Sequence, residues 1–203
     1  KLNLNSKVLH SGVDSILFSK FKNIKKKKNQ VVYVGNLLRF GKKRNLEFII
    51  EAFSSYYELK NYNLQIIGGP KKEASRLQKI VKENKFENIT VTGRLNREKT
   101  AEKIMESSIG ILINTGETAH SRDFTSPLKY FEYLFAKLKI VAVDFPAHRI
   151  LPYSDNISFF KKNDHKEFVN CIIKTDSINN HENIKGISID DRVKKIIKFV
   201  ENN

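Results

Sequence analysis

The sequence has 203 residues, 40% hydrophobic and 29% charged, with a formal charge of +15 and one cysteine. That balance describes a globular chain long enough for one sizeable core and excludes a disordered one. The lone Cys171 excludes an internal disulfide and a cysteine-only metal cluster, and it fits a reducing compartment such as the cytoplasm. No apolar run approaches the roughly 20 residues that span a bilayer, and no signal peptide is expected. The first residue is Lys1 rather than methionine, so a piece of a longer protein is expected. The positive excess suits nucleic acid, anionic lipid or a phosphorylated small ligand.

In chain order, residues 1–24 read as a lead-in segment. The run KKKK (25–28) reads as a solvated loop, with contact to lipid head groups as the alternative. VVYVGNL (31–37) is a near-continuous apolar run ending in a glycine turn, as a strand buried on both faces does. LEFIIEAFSSYYEL (46–59) has helical spacing, NLQIIGG (63–69) is a second strand, and KEASRLQKIVKEN (72–84) an amphipathic helix. A third strand, NITVTGRL (88–95), leads to a helix over REKTAEKIMES (97–107). A fourth, IGILINTG (109–116), leads through a polar loop to a helix starting at Pro127. KIVAVDF (139–145) and ISFF (157–160) read as further strands. HKEFVNCIIKT (165–175) and DRVKKIIKFVEN (191–202) read as closing helices, with the polar stretch 176–187 a loop between them.

Strands alternating with helices predict an α/β fold, a doubly wound parallel sheet of about six strands with helices on both faces. Ligands of such sheets bind beyond the carboxyl ends of the strands. Four of those ends carry glycine with cations: GNLLRFGKKRN (35–45), GGPKKE (68–73), GRLNRE (93–98) and TGETAHSRDFTSPLK (115–129). Glycine admits close approach of backbone to a ligand, and the cations favour phosphate. Any one alone reads as an ordinary turn with a solvated lysine. Neither GxGxxG nor GxxxxGK[ST] occurs.

The stretch FTSPLKYFEY (124–133) places a lysine in the first turn of a helix, where an acid is the usual choice. Ser126 is expected to cap that helix and Pro127 to occupy its first position. Free first-turn amides at the sheet edge then form an anion site. Lys129 can curl back to the same anion, with Glu132 on the same face accepting from sugar hydroxyls. A Lys129–Glu132 surface pair is the alternative.

At these residues the sequence resembles the nucleotide-sugar-binding half of the family-four retaining glycosyltransferases, whose fold is GT-B. SGVDSILF (11–18) is similar to the segment where the two family domains join, and YVGNLLRFGKKRNLEFIIEAF (33–53) to the family's GRLxxxKGxxxLIEAF block. SPLKYFEYLFAKLKIVAVDFPAHR (126–149) is the most specific match, long and gap-free. The resemblance makes residues 1–24 an interdomain linker and 25–203 the Rossmann-like donor domain, with an N-terminal acceptor domain lying outside this sequence. It implies that Glu132 is the second acid of an E-x7-E pair and binds the donor ribose. Its first acid falls at Phe124, so Asp123 or Glu117 are the substitutes for contact with the transferred sugar. Arg44 takes the place of the lysine that grips the diphosphate. The family arginine after Gly35 is replaced by Asn36, and Lys43, Lys42 or Arg39 are candidates to compensate. Thr125, Ser126 and Lys129 frame the phosphate. Gly93 and Arg94, with Gly68, lie where the family holds the nucleoside.

The implied reaction is transfer of a sugar from a nucleotide diphosphate sugar to a glycan or lipid-linked acceptor, with retention and with no metal or other cofactor. This fragment by itself is then expected to bind nucleotide and transfer nothing. The resemblance also implies work in polysaccharide or lipopolysaccharide synthesis, in the cytoplasm or peripherally on the inner face of the cell membrane. Another GT-B-like or Rossmann-like enzyme, such as an inverting transferase or a sugar epimerase, is an alternative, and two more stand beside it. One is a catalytically degenerate donor-binding domain, suggested by Phe124 and Asn36. The other is a nucleic-acid-binding module, which needs exposed aromatics among its basic residues; the aromatics here mostly follow core positions, so no nucleic-acid partner is expected.

Overall fold

The computed structural model describes residues 8–39, 41–174 and 184–202. Positions 175–183, including the end of the helix expected over 165–175 and most of the polar stretch after it, lie outside the described residues, as does Phe40.

The apolar run at 31–34 becomes the centre of the sheet. After α1 (Ser15–Ser19), the chain forms β1 (Gln30–Val34), a two-residue hairpin of β2 (Leu38–Arg39) and β3 (Lys42–Lys43), and α2 (Leu46–Ser55). There follow β4 (Asn63–Ile67), α3 (Lys71–Glu83), β5 (Ile89–Gly93), α4 (Arg97–Met105) and β6 (Ile109–Leu112). Then come α5 (Ala119–Asp123), α6 (Leu128–Phe135), β7 (Lys139–Val143), α7 (Pro146–Arg149), β8 (Ile157–Phe160), α8 (His165–Lys174) and α9 (Ile189–Glu201). The six long strands pair in parallel in the order β5-β4-β1-β6-β7-β8. The winding reverses between β1 and β6, and there the sheet opens a crevice at its carboxyl edge.

Alternate residues of the central strands feed two cores. Val31 and Tyr33 face α2, α3 and α8, packed with Ile49, Phe53, Leu77, Phe168 and Ile172. Val32 faces the other way, among Ile104, Phe131, Tyr133 and Leu134. A strand buried on both faces needs an unbroken apolar sequence, which is why these strands read as runs rather than alternations.

Several local readings shift. The first strand ends at Val34, because Gly35 at φ 152° turns the backbone out of the sheet. The helix expected to run to residue 59 ends at Ser55, where Tyr56 is extended and a single 3-10 turn follows. Pro127, at ψ 123°, is likewise extended, so α6 starts one residue later than expected. Its N-cap is Pro127, not Ser126, and the cap residue makes no side-chain bond to the first turn.

The lysine run is not simply solvated. Lys26 donates to Ser107 O (2.9 Å) and Ala136 O (2.8 Å), carbonyls just past the ends of α4 and α6, where a cation offsets the helix dipole. Lys27 pairs with Glu106 at 3.0 Å.

The lead-in segment also packs on the domain. Val13 is buried and exchanges backbone hydrogen bonds with Ile187 and Ile189. Phe18 meets Phe135 edge-on, with ring centroids 5.8 Å apart. A side chain at Gly12 would strike Ser188 O at 2.6 Å. Ser188 in turn caps α9 in a reciprocal box with Asp191. Among the described residues no helix is long and apolar enough to cross a membrane.

Candidate functional site

A cleft of about 710 Å³ opens at the crevice between β1 and β6. Its floor is the backbone leaving these strands: Val34, Gly35 and Asn36 on one side, Leu112, Ile113 and Asn114 on the other. Gly68 and Gly69, leaving β4, complete it. A methyl group at Gly68 would lie 1.8 Å from Gly35 O, so glycine is what lets the two strand ends close together.

α6 forms the wall. Tyr133 holds it in place: its ring covers Gly110 so closely that a side chain there would meet the ring at 2.4 Å. Its hydroxyl accepts the Val34 N–H at 3.0 Å. Glu132, the residue before Tyr133, and Lys129, one turn nearer the N-terminus, both line the cleft. The first-turn amides of α6 face the same end, without a capping side chain.

The Lys129 ammonium rests over the Tyr33 ring, 4.1 Å from its centroid. Burial, reinforced by the neighbouring Arg44 charge and opposed by Glu132, pushes its pKa down to about 7. Burial raises the Glu132 carboxyl above its ordinary range, against the pull of Lys129 and then of Arg97. Two cations stand together here with one carboxylate between solvent and core, and a ligand's phosphate would restore full charge to Lys129.

His148, from α7, was not singled out by the sequence. It is buried, and its Nδ1 lies 2.7 Å from Val143 O. A carbonyl only accepts, so Nδ1 carries the proton. Burial first, with the Lys129 charge adding to it, keeps the ring's pKa below its ordinary value. The neutral ring then keeps its Nε2 lone pair for a ligand in the cleft it lines. Asn114 and His120 also line the cleft without having been foreseen. Asn114 donates to Ser121 O at 3.2 Å and accepts from Gly116 N. It thereby shapes the loop after β6. The available signal was position: each stands just after a strand or at the start of a short helix at the carboxyl edge.

Of the residues marked in the sequence, Gly35, Asn36, Arg44, Gly68, Arg94, Thr125, Ser126, Lys129 and Glu132 line the cleft together. Arg94 reaches over Gly69 toward Asn36. Gly93, Lys42, Lys43, Glu117 and Asp123 do not line it. Gly93 sits behind, its carbonyl accepting from Gly68 N. Lys43 pairs with Glu47, Glu117 with Lys42, and Asp123 with Arg122, at 3.0, 3.0 and 2.8 Å. Glu132 is the one acid among the described residues lining the cleft. Among the described residues no cluster of three or more His, Cys, Asp or Glu could hold a metal ion.

Sheet order, crevice and glycine-lined floor define a Rossmann-like α/β domain with a cleft at its switch point that Arg44, Arg94 and Lys129 line. The chain belongs to the glycosyl transferases group 1, whose family model matches residues 28–175. Solved structures agree on the fold. WaaG, a glycosyltransferase involved in lipopolysaccharide biosynthesis, shares 16% identity over 86% of this chain and 48% of its own, with a TM-score of 0.57. The pneumococcal O-GlcNAc transferase GtfA, in complex with UDP and GlcNAc, gives 16% identity, 96% and 38% coverage and a TM-score of 0.62. A glycosyltransferase from Rickettsia africae ESF-5 gives 14% identity, 97% and 58% coverage and a TM-score of 0.69. The chain thus spans 38% to 58% of the length of these three structures. No curated protein matches by sequence.

Proposed function

We propose that the cleft binds a nucleotide diphosphate sugar and that the chain is the donor half of a transferase acting on a glycan or lipid-linked acceptor. The observation that carries this reading is the convergence of Lys129, Arg44 and the uncapped amides of α6 on one end of a glycine-floored cleft, with Glu132 one turn away. Fixed cations and amides stabilise the charge that develops on a departing diphosphate. The reading assigns that work to Lys129 and Arg44, and no metal to the site. Lys129 supplies the charge that Asn36 does not. Glu132 accepts from the ribose hydroxyls, and Arg94 with Gly68 borders the nucleoside.

Retention of anomeric configuration rests on the likeness of residues 126–149 to family-four enzymes. The acceptor would be bound by a further domain. A +15 surface suits work against the anionic inner leaflet of the cell membrane, and WaaG's role in lipopolysaccharide biosynthesis points the same way.

The test is calorimetry of UDP, GDP and ADP and their hexose derivatives on this chain. At least one series should bind, and Lys129→Met and Glu132→Ala should each weaken it about tenfold or more. If neither variant weakens any nucleotide, the placement of the donor pocket is wrong.

One observation favours a second reading, a donor-binding domain without turnover. Glu117 and Asp123 are occupied with Lys42 and Arg122 away from the cleft lining, leaving Phe124 at the position of the family's first acid. Donor binding by the longer protein, without consumption of the nucleotide sugar in the presence of membrane and glycan extracts, would establish it.

A further inference from the structure

Phe124 is 73% exposed, although the sequence places it between charged and hydroxyl-bearing neighbours. Isolated surface aromatics are common, but this ring lines the cleft. It ends α5, its N–H bonded to His120 O. Thr125 Oγ1 donates to the same carbonyl at 2.8 Å. His120, one turn earlier on α5, also lines the cleft, as does Leu128, which is 50% exposed. An aromatic ring and an aliphatic side chain therefore border a cleft whose opposite requirement, anion binding, is met by Lys129 and Arg44.

The lining divides by chemistry. Lys129, Arg44, Thr125 and Ser126 suit phosphate, while Arg94, Leu95, Thr100 and Glu132 suit a nucleoside. What remains includes Phe124 and Leu128, with the hydrogen-bonding side chains of Asn36, Asn114, His120 and His148. A pyranose presents the matching surface, with hydroxyls around its edge and C–H bonds across its face. An aromatic ring stacks on that face much as on another apolar ring face, and imidazole and amide groups serve the edge. No carboxylate is needed for such recognition.

We infer that Phe124 is the platform of the sugar subsite and stacks on the pyranose ring of the nucleotide sugar. Recognition there is through the C–H face of a neutral hexose rather than through an acid bonded to its hydroxyls. This rests on the reading of the cleft as a nucleotide-sugar site and goes beyond it by assigning the sugar's contact surface.

The experiment compares each nucleoside diphosphate with its neutral hexose derivative (UDP with UDP-glucose, GDP with GDP-mannose, ADP with ADP-glucose) on wild type, Phe124→Leu, Phe124→Trp and Phe124→Glu. At 73% exposure the position tolerates all three, and circular dichroism and melting confirm the fold. In the series that binds, Phe124→Leu and Phe124→Glu should weaken the hexose derivative roughly three- to tenfold, the scale of one aromatic face contact. The loss should be clearly larger for the hexose derivative than for the bare diphosphate in Phe124→Leu, and Phe124→Trp should retain or tighten the hexose derivative. Equal affinity of Phe124→Leu and wild type for the hexose derivative overturns the inference while leaving the nucleotide site intact. So does tighter hexose binding by Phe124→Glu, which would show that the position works through hydroxyls. Absence of binding by every diphosphate overturns the underlying reading instead.

Discussion

The Lys129 ammonium lies 4.1 Å from the centroid of the Tyr33 ring, and Tyr33 is itself fully buried. The ring's negative face compensates part of the desolvation of a cation held beside Arg44, yet burial still brings Lys129 down to about pH 7. Lys129 is therefore a cation that needs an anionic ligand to be fully charged at neutral pH.

Binding should consequently take up a proton. Below pH 7 the free protein already carries the ammonium, and affinity is highest. Above pH 7 the free protein loses it, while a bound diphosphate holds the pKa up. The affinity should then fall with rising pH, by at most about tenfold per unit. A nucleotide diphosphate sugar is the right probe, because its diphosphate carries no titrating proton in that range. Calorimetry at pH 8 in buffers of different ionisation enthalpy should register uptake of up to one proton, and Lys129→Met should abolish both the uptake and the slope.

The same residue should lower the stability of the unliganded fold. Its pKa is depressed on folding, so the penalty is fully present below pH 7 and fades as pH rises toward 10.5. Lys129→Met should be more stable than wild type by about 1–2 kcal/mol at pH 6. The gap should narrow at pH 9. Urea denaturation at the two pH values measures it, and a variant less stable than wild type at pH 6 would contradict the electrostatic account.

Two glycines of the cleft floor should respond differently. Gly68→Ala brings a methyl group against Gly35 O at 1.8 Å, backbone that has nowhere to go, so the loss should be about 3 kcal/mol or more. At Gly35 the nearest obstacle is the Lys129 ammonium at 2.7 Å, the far end of a flexible chain, although φ 152° strains any side chain. Gly35→Ala should unfold less readily than Gly68→Ala and still lose nucleotide affinity by displacing Lys129. Melting curves paired with a binding titration separate the two.

Strands were legible where both faces are buried, because burial on both sides demands apolar runs such as VVYV and IGIL. The carboxyl-edge glycines pointed to the cleft for a similar reason, since close backbone approach leaves few other choices. What escaped was short-range geometry decided by tertiary contact. Pro127 looks like a first helical residue by composition and is held extended. Lys26 looks like one more solvated lysine, and only the fold brings the ends of α4 and α6 to it. His148 sits inside a stretch noted for its family likeness, but its burial and its bond to Val143 O depend on α7 folding back over the end of β7. The acids 117 and 123 are close in sequence to the cleft, and basic neighbours draw both away from its lining.

Tyr133 carries a consequence for the rate at which a ligand enters. With its ring seated on Gly110 and its hydroxyl bonded to Val34 N, α6 cannot rotate without breaking a hydrogen bond and lifting an aromatic ring off the sheet. Lys129 and Glu132 are thus at their stations before any ligand arrives, and no part of the binding free energy goes into building that wall. Association should run at a speed governed by the attraction between a cationic cleft and an anion, quickened at low ionic strength, with no slow isomerisation of the helix standing in its way.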